Sequence, residues 1–311
     1  MILLPFKSAV ELNVLMQRIC SGTSVLQTGT GPCEGTITGV NVGMLHLVRI
    51  EISTAIAFTG ARDLEKTSIA IELSPYKECW RHRPYGVELD APALFGYNWT
   101  LHDVDLRLAA GTQIGVVFIQ RKKLRRWLNE RGFEHVFEDL HKTNVTYAGS
   151  KATRKLRNHL RAIFAGKGTG DAIEDEMLLL ELCDLFTKTE HKDPVIARRE
   201  RAEVALKALH LQTANPDVPF EVTQLPALLH QSRSSIFDGC RDHFGMPPAD
   251  LLRTVRLQQV HHMLKRPDLR RAKGLEGVEE VAKHYGFASR SHFSKHYKQL
   301  FTCTPRKDLV N

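Results

Sequence analysis

The chain is poor in cysteine and gives it no pattern: six residues in 311, at 20, 33, 79, 183, 240 and 303. Neither the paired spacing of a zinc knot nor the short framework of a secreted disulfide protein is present, so reduced thiols in a cytoplasm are expected. No window holds the eighteen apolar residues of a membrane span, and Met1–Val10 lacks a basic run followed by an apolar core, so neither membrane insertion nor a leader is expected. Asn98-Trp99-Thr100 and Asn144-Val145-Thr146 are then chance sequons. Enzyme signatures are missing as well. There is no His-Glu-x-x-His, no Gly-x-Ser-x-Gly and no pair of carboxylates at a glycine-rich turn, which argues against catalysis and leaves no catalytic residue to name. The run Gly166-Lys167-Gly168-Thr169-Gly170 lacks the order of a Walker loop and reads as a flexible connector. His46, His82, His102 and His135 are too scattered to act as ligands, so no metal and no cofactor are expected.

What remains is an ordinary globular composition, 42% hydrophobic and 25% charged, with length for two domains. The net charge of +8 is unevenly spread: from residue 195 onward there are 19 Lys plus Arg against 12 Asp plus Glu, and before it 24 against 23. A positive excess confined to the last third favours a polyanionic partner, because each phosphate neutralised releases counterions.

That third also nearly repeats itself. Ser232-Arg233-Ser234 recurs 57 residues on as Ser289-Arg290-Ser291, and the same offset pairs Ile236 with Phe293, Cys240 with Tyr297, Phe244 with Phe301 and Pro248 with Pro305. Within each copy the apolar residues recur at helical spacing and must face a core. The other stripe, Ser234, Phe237, Asp238 and Arg241 in one copy and Ser291, Ser294, Lys295 and Lys298 in the other, needs no burial. Serine before each stripe is a helix start. Upstream of the second copy, Val278–Tyr285 reads as a short amphipathic helix and Gly286 as a tight turn. Helix, glycine turn, helix is the pattern that lays its second helix in a major groove, where short polar and cationic side chains reach bases and phosphates.

These residues resemble the C-terminal signature of AraC/XylS transcription regulators: Val281-Ala282, Gly286-Phe287, Ser289, Phe293, Tyr297, Phe301 and Pro305, with Arg256-Leu257 similar to the Arg-Leu pair of that family's spacer helix. The resemblance covers about the last 117 residues, from Val195. The sequence departs from the family at Asp238, where a basic or amide residue is usual, and at Cys240, where a large hydrophobe is usual. An acidic side chain is repelled by phosphate, so the first reading helix is expected to position more than to choose bases. Gly239 beside it costs about 1 kcal/mol of helix stability relative to Ala.

Before this region, Ser8–Ile19 and Arg121–Arg131 have helical spacing. Between them, Leu45–Ile50, Ser68–Leu73, Glu78–Arg81, Ala93–Tyr97 and Gln113–Phe118 read as strands. The predicted class is α+β. A β-rich domain with helices spans 1–150, a helical connector and linker 151–194, and an all-α domain of two helix-turn-helix motifs 195–311. Regulators of the resembled family often carry a cupin-like barrel for an effector in this place, and the β-rich block looks like such a sensor. Trp80, Phe95, Tyr97, Trp99 and Phe118 are the aromatics expected to line a cavity there, with Trp80, Tyr97 and Trp99 named as effector-binding. Lys151–Phe164 and Asp171–Phe186 are helical. The stripe Met177, Leu178, Glu181, Leu182 and Leu185 serves either a homodimer or packing on the chain's own barrel. Thr187–Pro194 reads as the interdomain linker.

In the last third, Arg199–Leu211 is expected to lead, Val222–Phe244 to form the first helix-turn-helix and Ala249–Leu264 to act as spacer helix. Contacts to double-stranded operator DNA are assigned to Arg233, Ser234, Phe237 and Arg241 in the first copy, and to Arg290, Ser291, Ser294, Lys295 and Lys298 in the second, with Arg256 beside them. The resemblance implies a bacterial, nucleoid-associated activator that works with RNA polymerase under a small-molecule effector. A non-specific architectural DNA-binding protein is the alternative, and a protein-interaction adaptor on a degenerate motif is a further one.

Overall fold

The computed structural model describes the chain except residues 21, 75–80, 90–91, 148–149, 190–191, 195–199 and 311. The expected strand Glu78–Arg81 therefore lies almost wholly outside the described residues, as does Trp80. In chain order the first part comprises β1 (Ile2–Phe6), α1 (Ala9–Gln17), β2 (Thr23–Gln27), β3 (Gly35–Val42), β4 (Leu45–Ile52), β5 (Ile56–Ala61) and β6 (Lys66–Glu72). Then come β7 (Arg83–Pro84), β8 (Ala93–Phe95), β9 (Asp103–Leu108), β10 (Thr112–Gln120), α2 (Arg121–Glu130), α3 (Glu134–Lys142), β11 (Thr143–Tyr147), α4 (Ser150–Phe164), α5 (Ala172–Lys188) and β12 (Lys192–Pro194).

The strands form two antiparallel sheets, one ordered β1-β3-β4-β10-β6-β8-β11-β12 and the other β2-β5-β9-β7. The large sheet is apolar on both faces, because successive side chains of a strand point to opposite sides. On β4, β6 and β10, Leu45, Leu47, Ile69, Ile71, Val117 and Ile119 meet α2 to α5 through Leu124, Leu128, Leu156, Leu160, Leu178 and Leu182. The alternate residues Val48, Ile50, Ala70 and Ile114 meet Ile56 and Phe58 of the small sheet, with Leu12 of α1 closing one end. The helices expected to act as a connector thus share the core of the β-rich part. Leu178, Leu182 and Leu185 face inward, and α5 leaves Ile173, Met177 and Leu180 exposed. The expected linker is in part a strand, since β12 pairs with β11.

The second part is helical: α6 (Glu200–Ala214), α7 (Leu225–Leu229), α8 (Arg233–Phe244), α9 (Pro248–Lys265), α10 (Pro267–Ala272), α11 (Val278–His284), α12 (Arg290–Phe301) and α13 (Pro305–Asp308). The 18-residue α9, about 27 Å long at 1.5 Å per residue, is the spine. Its first half gives Leu251, Leu252 and Val255 to a core with α6 and α8. Its second half gives Leu257, Val260, Met263 and Leu264 to a core with α11 and α12. The two parts of the chain touch. Leu26 and Ala57 of the small sheet enter the α6/α8/α9 core, the buried Gln258 amide donates to the Gln27 carbonyl at 3.0 Å, and the Gly31 N–H donates to the Leu300 carbonyl at 2.7 Å.

Among the described residues no helix is long and apolar enough to cross a membrane, and no three His, Cys, Asp or Glu side chains group in a way that could hold a metal ion.

Candidate nucleic-acid interface

Two helix-turn-helix units follow from matching local chemistry. The Ser232 side chain accepts a hydrogen bond from the Ser235 N–H at 3.1 Å, and Ser289 accepts from the His292 N–H at 3.5 Å, so each second helix opens on a serine cap. Each also closes on a left-handed residue 57 positions from its counterpart, Gly245 at φ 74° and Thr302 at φ 59°. A β-branched residue in that region is strained. Thr302→Gly is therefore expected to stabilise the fold by roughly 1 kcal/mol, visible as a rise in the unfolding midpoint; an unchanged or lowered midpoint would show that Thr302 is not strained.

The turns between the helices differ by one residue. His230 at φ 52° lies two before its serine cap and Gly286 at φ 82° three before. At Gly286 a Cβ would stand 2.4 Å from Pro219 Cβ and 3.1 Å from Arg256 Nη1. Glycine is needed there for conformation and for space alike. Arg256 itself is half-buried beneath this turn, its guanidinium 5.5 Å over the Phe287 ring, and burial pushes its pKa below the ordinary arginine value.

Each second helix buries one stripe: Ile236, Cys240 and Phe244 on α8, and Phe293, Tyr297 and Phe301 on α12. Desolvation raises the Cys240 thiol to about 12, as befits a small core residue with no reactive role. Tyr297 donates to the Asp308 carboxylate at 2.9 Å, while His261 stacks on Phe301 with ring centroids 4.2 Å apart. Burial and the neighbouring Lys265 lower the His261 pKa to about 4, and burial also lowers those of His46, His262 and His296. A histidine held neutral in the fold takes up a proton more readily once unfolded, so its contribution is present above pH 6.5 and lost as the pH falls. The unfolding midpoint is expected to drop between about pH 6.5 and 4, and less so in His261→Gln. An equal drop in that variant would remove His261 from the account.

The opposite stripes face solvent. Arg233, Ser234, Phe237 and Arg241 are exposed on α8; Arg290, Ser291, Lys295 and Lys298 are exposed on α12, with Ser294 half-buried between them. Among the described residues none of the five cations in these stripes is paired with a carboxylate. Phe237, an apolar ring 44% exposed amid them, has no core to enter. Around α12 the surface is concave between α11 and α13, and Lys283 and Arg306 line it together with Arg290, Lys295 and Lys298. Lys283 and Arg306 were not in the sequence assignment, because neither belongs to the repeated stripe.

Asp238 does not stand among the reading side chains as a bare acid. Its carboxylate lies 3.6 Å from Arg201 Nη1 of α6, a half-exposed pair that screening keeps to about 0–1 kcal/mol. Gly239 next to it has a packing reason: a Cβ there would stand 2.2 Å from the Arg201 carbonyl oxygen, so α6 and α8 cross too closely for any side chain.

A second candidate site lies in the β-rich part. Between the sheets is a cavity of about 120 Å³ with Ile50, Phe58, Phe95, Val104, Leu106, Leu108, Val116 and Phe118 among its walls and Arg62, Asp63, Lys66 and Tyr85 among its polar groups. Tyr97 and Trp99 are placed elsewhere. Tyr97 is buried on the other side of the large sheet, bonded to Thr146 at 2.6 Å and edge-on to Phe186 at 5.0 Å; Trp99 packs on Phe137 at 4.4 Å. The reason is Gly96 at φ 75°, which breaks the alternation that would otherwise keep residue 97 on the face of Phe95. In the cavity wall the half-buried Arg62 guanidinium donates to the Asn98 carbonyl at 2.7 Å, to Ser68 Oγ at 2.8 Å and to the Gly96 carbonyl, all neutral acceptors.

Comparison with known proteins bears on the helical part. Residues 226–309 match the family described as Helix-turn-helix domain. The Probable thc operon regulatory protein of Rhodococcus erythropolis is 33% identical over 96 residues, 31% of this chain and 28% of the relative. The RCS-specific HTH-type transcriptional activator RclR of Escherichia coli K12 is 33% identical over 90 residues, 29% of each. The matched stretch thus spans less than a third of the length of these curated relatives. Among solved structures, the AraC-like transcriptional activator CuxR is similar with a TM-score of 0.44 at 13% identity, covering 83% of this chain and 94% of that one. ToxT from Vibrio cholerae O395 follows at 0.33 and 15%, covering 93% and 98%.

Proposed function

We propose that this protein, whose residues 226–309 match a helix-turn-helix domain, is a sequence-specific, double-stranded-DNA-binding regulator of transcription of the AraC type whose activity a small molecule controls from the β-rich part. The observation that carries the reading is the pair of capped helices on one spine, each with a buried apolar stripe and an exposed stripe of unpaired cations and short polar side chains. One face of each fits a major groove, and a spacer helix of about 27 Å lets one chain address neighbouring turns of a duplex.

Arg290 is the base reader in this reading and Lys298 a phosphate contact. On a duplex selected from random sequence, Arg290→Ala is expected to cost about 1–3 kcal/mol and relax one base position, while Lys298→Ala weakens every sequence alike and lowers the salt slope by about one. Gel shifts against single-base variants of the selected site test this. Uniform loss for Arg290→Ala would turn the reading toward non-specific architectural binding.

The effector is a compact, mainly apolar molecule with an acidic group. The cavity volume of about 120 Å³ is on the scale of a space that accepts a benzene ring. The half-buried Arg62 guanidinium makes its hydrogen bonds to neutral oxygens and would gain a charge-assisted bond from an anion. RNA polymerase and a second copy of the chain are further partners of this reading, the latter at the outward residues Ile173, Met177 and Leu180 of α5.

A further inference from the structure

The small sheet is a wall with two tenants. Its registers place Phe58 beside Val25 and Leu106, and Ala57 beside Leu26 and Arg107. One face, with Phe58, Val104, Leu106 and Leu108, lines the cavity. The opposite face carries Leu26 and Ala57 into the core of the first helix-turn-helix unit. It also carries Asp105, whose Oδ1 lies 3.2 Å from Nε2 of His243, with the two side chains 1% and 3% exposed. His243 is on α8, one turn of helix beyond Cys240, buried and on the side away from Arg241. A single strand, β9, therefore runs along the cavity from Val104 to Leu108 and meets the first reading helix through the Asp105 side chain.

We propose that this sheet transmits effector occupancy to DNA binding, with the buried Asp105–His243 pair as the joint: an occupant pressing on Val104 and Leu106 moves β9, and β9 moves α8 through His243. The inference rests on the effector reading above and adds the route. A one-layer sheet is a short path, and a contact closed off from solvent in a close-packed interior leaves little slack, so a sub-ångström shift of the strand reorients the helix rather than being absorbed. The second unit is held at the far edge of the same sheet, two strands from β9, since Gln258 meets Gln27 at the end of β2 and Gly31 of the following loop meets Leu300. The occupant thus changes the setting of α8 relative to α12, the quantity on which two-groove reading depends.

The test needs no knowledge of the natural effector. Ala70, on the far wall of the cavity, is enlarged by Ala70→Leu as a built-in occupant, with Val116→Leu as a second filler should the first fail to fold. DNA affinity is measured on the selected duplex in the wild-type background and with the joint cut from either side, by Asp105→Asn or by His243→Gln. Filling is expected to change Kd at least about fivefold in the wild type and less than about twofold when either end is cut, the signature of coupled rather than additive effects. If the change survives both cuts, the route is wrong while the effector reading stands. If neither filler nor sodium benzoate as added probe alters Kd in any background, the effector reading fails and the route with it.

Discussion

Raising the salt from 50 to 200 mM is expected to weaken DNA binding by about a thousandfold. The cations available to phosphate are Arg233 and Arg241 on α8, Arg290, Lys295 and Lys298 on α12, and Lys283, Arg306 and Lys307 around it, all exposed. If about six of them each neutralise a phosphate, the logarithm of the binding constant falls with a slope of about −5 against the logarithm of salt. Fluorescence anisotropy across that range reads the slope directly. A slope near −1 would mean that these side chains are merely solvated and that the helices do not lie along a duplex.

The second large effect is on stability. Gly286→Ala places a Cβ 2.4 Å from Pro219 Cβ in a residue held at φ 82°. The left-handed conformation costs about 1–2 kcal/mol with a side chain and the forced displacement of a packed proline about 1–3 kcal/mol more. Gly274, in the same domain at φ 67° with nothing within 4 Å of a built Cβ, supplies the comparison, since its change to alanine carries the conformational cost alone. Thermal unfolding should therefore show a drop for Gly286→Ala two to three times that for Gly274→Ala. Equal drops would remove the Pro219 contact from the account.

How far the sequence led depends on whether the cause of a feature was local. The 57-residue offset, the serine caps and the glycine turn are local, and the structure places α11 and the long α9 within a residue of the spans expected for them and starts α8 and α12 directly after the two serines. The buried stripes Ile236/Cys240/Phe244 and Phe293/Tyr297/Phe301 follow from period alone. What the sequence hid is long-range. Gly239 looked like a weak point in a helix until the Arg201 carbonyl of α6 stood over it, and Asp238 looked like a defect in a DNA-facing stripe until Arg201 supplied its partner. Neither could be read without knowing how α6 crosses α8. In the β-rich part β1, β2, β3, β5, β7, β9, β11 and β12 are not among the expected strands; β2 and β3, with Gly, Thr, Ser, Asn and Gln at many positions, lack a clear apolar alternation, whereas the alternation of Val104, Leu106 and Leu108 in β9 was legible and was missed. The aromatics showed the same limit: Phe95 faces the cavity and Tyr97 the opposite side of the sheet because of one backbone angle at Gly96.

The most direct measurement is a hydroxyl-radical footprint of the full-length chain on its selected duplex. Two protected patches about one helical turn apart, spanning about twenty base pairs for one bound chain and shifting in register with the sequence, are what a pair of reading helices on one spine must leave. A single short patch, or protection that slides with no preferred register at any salt, would contradict the account.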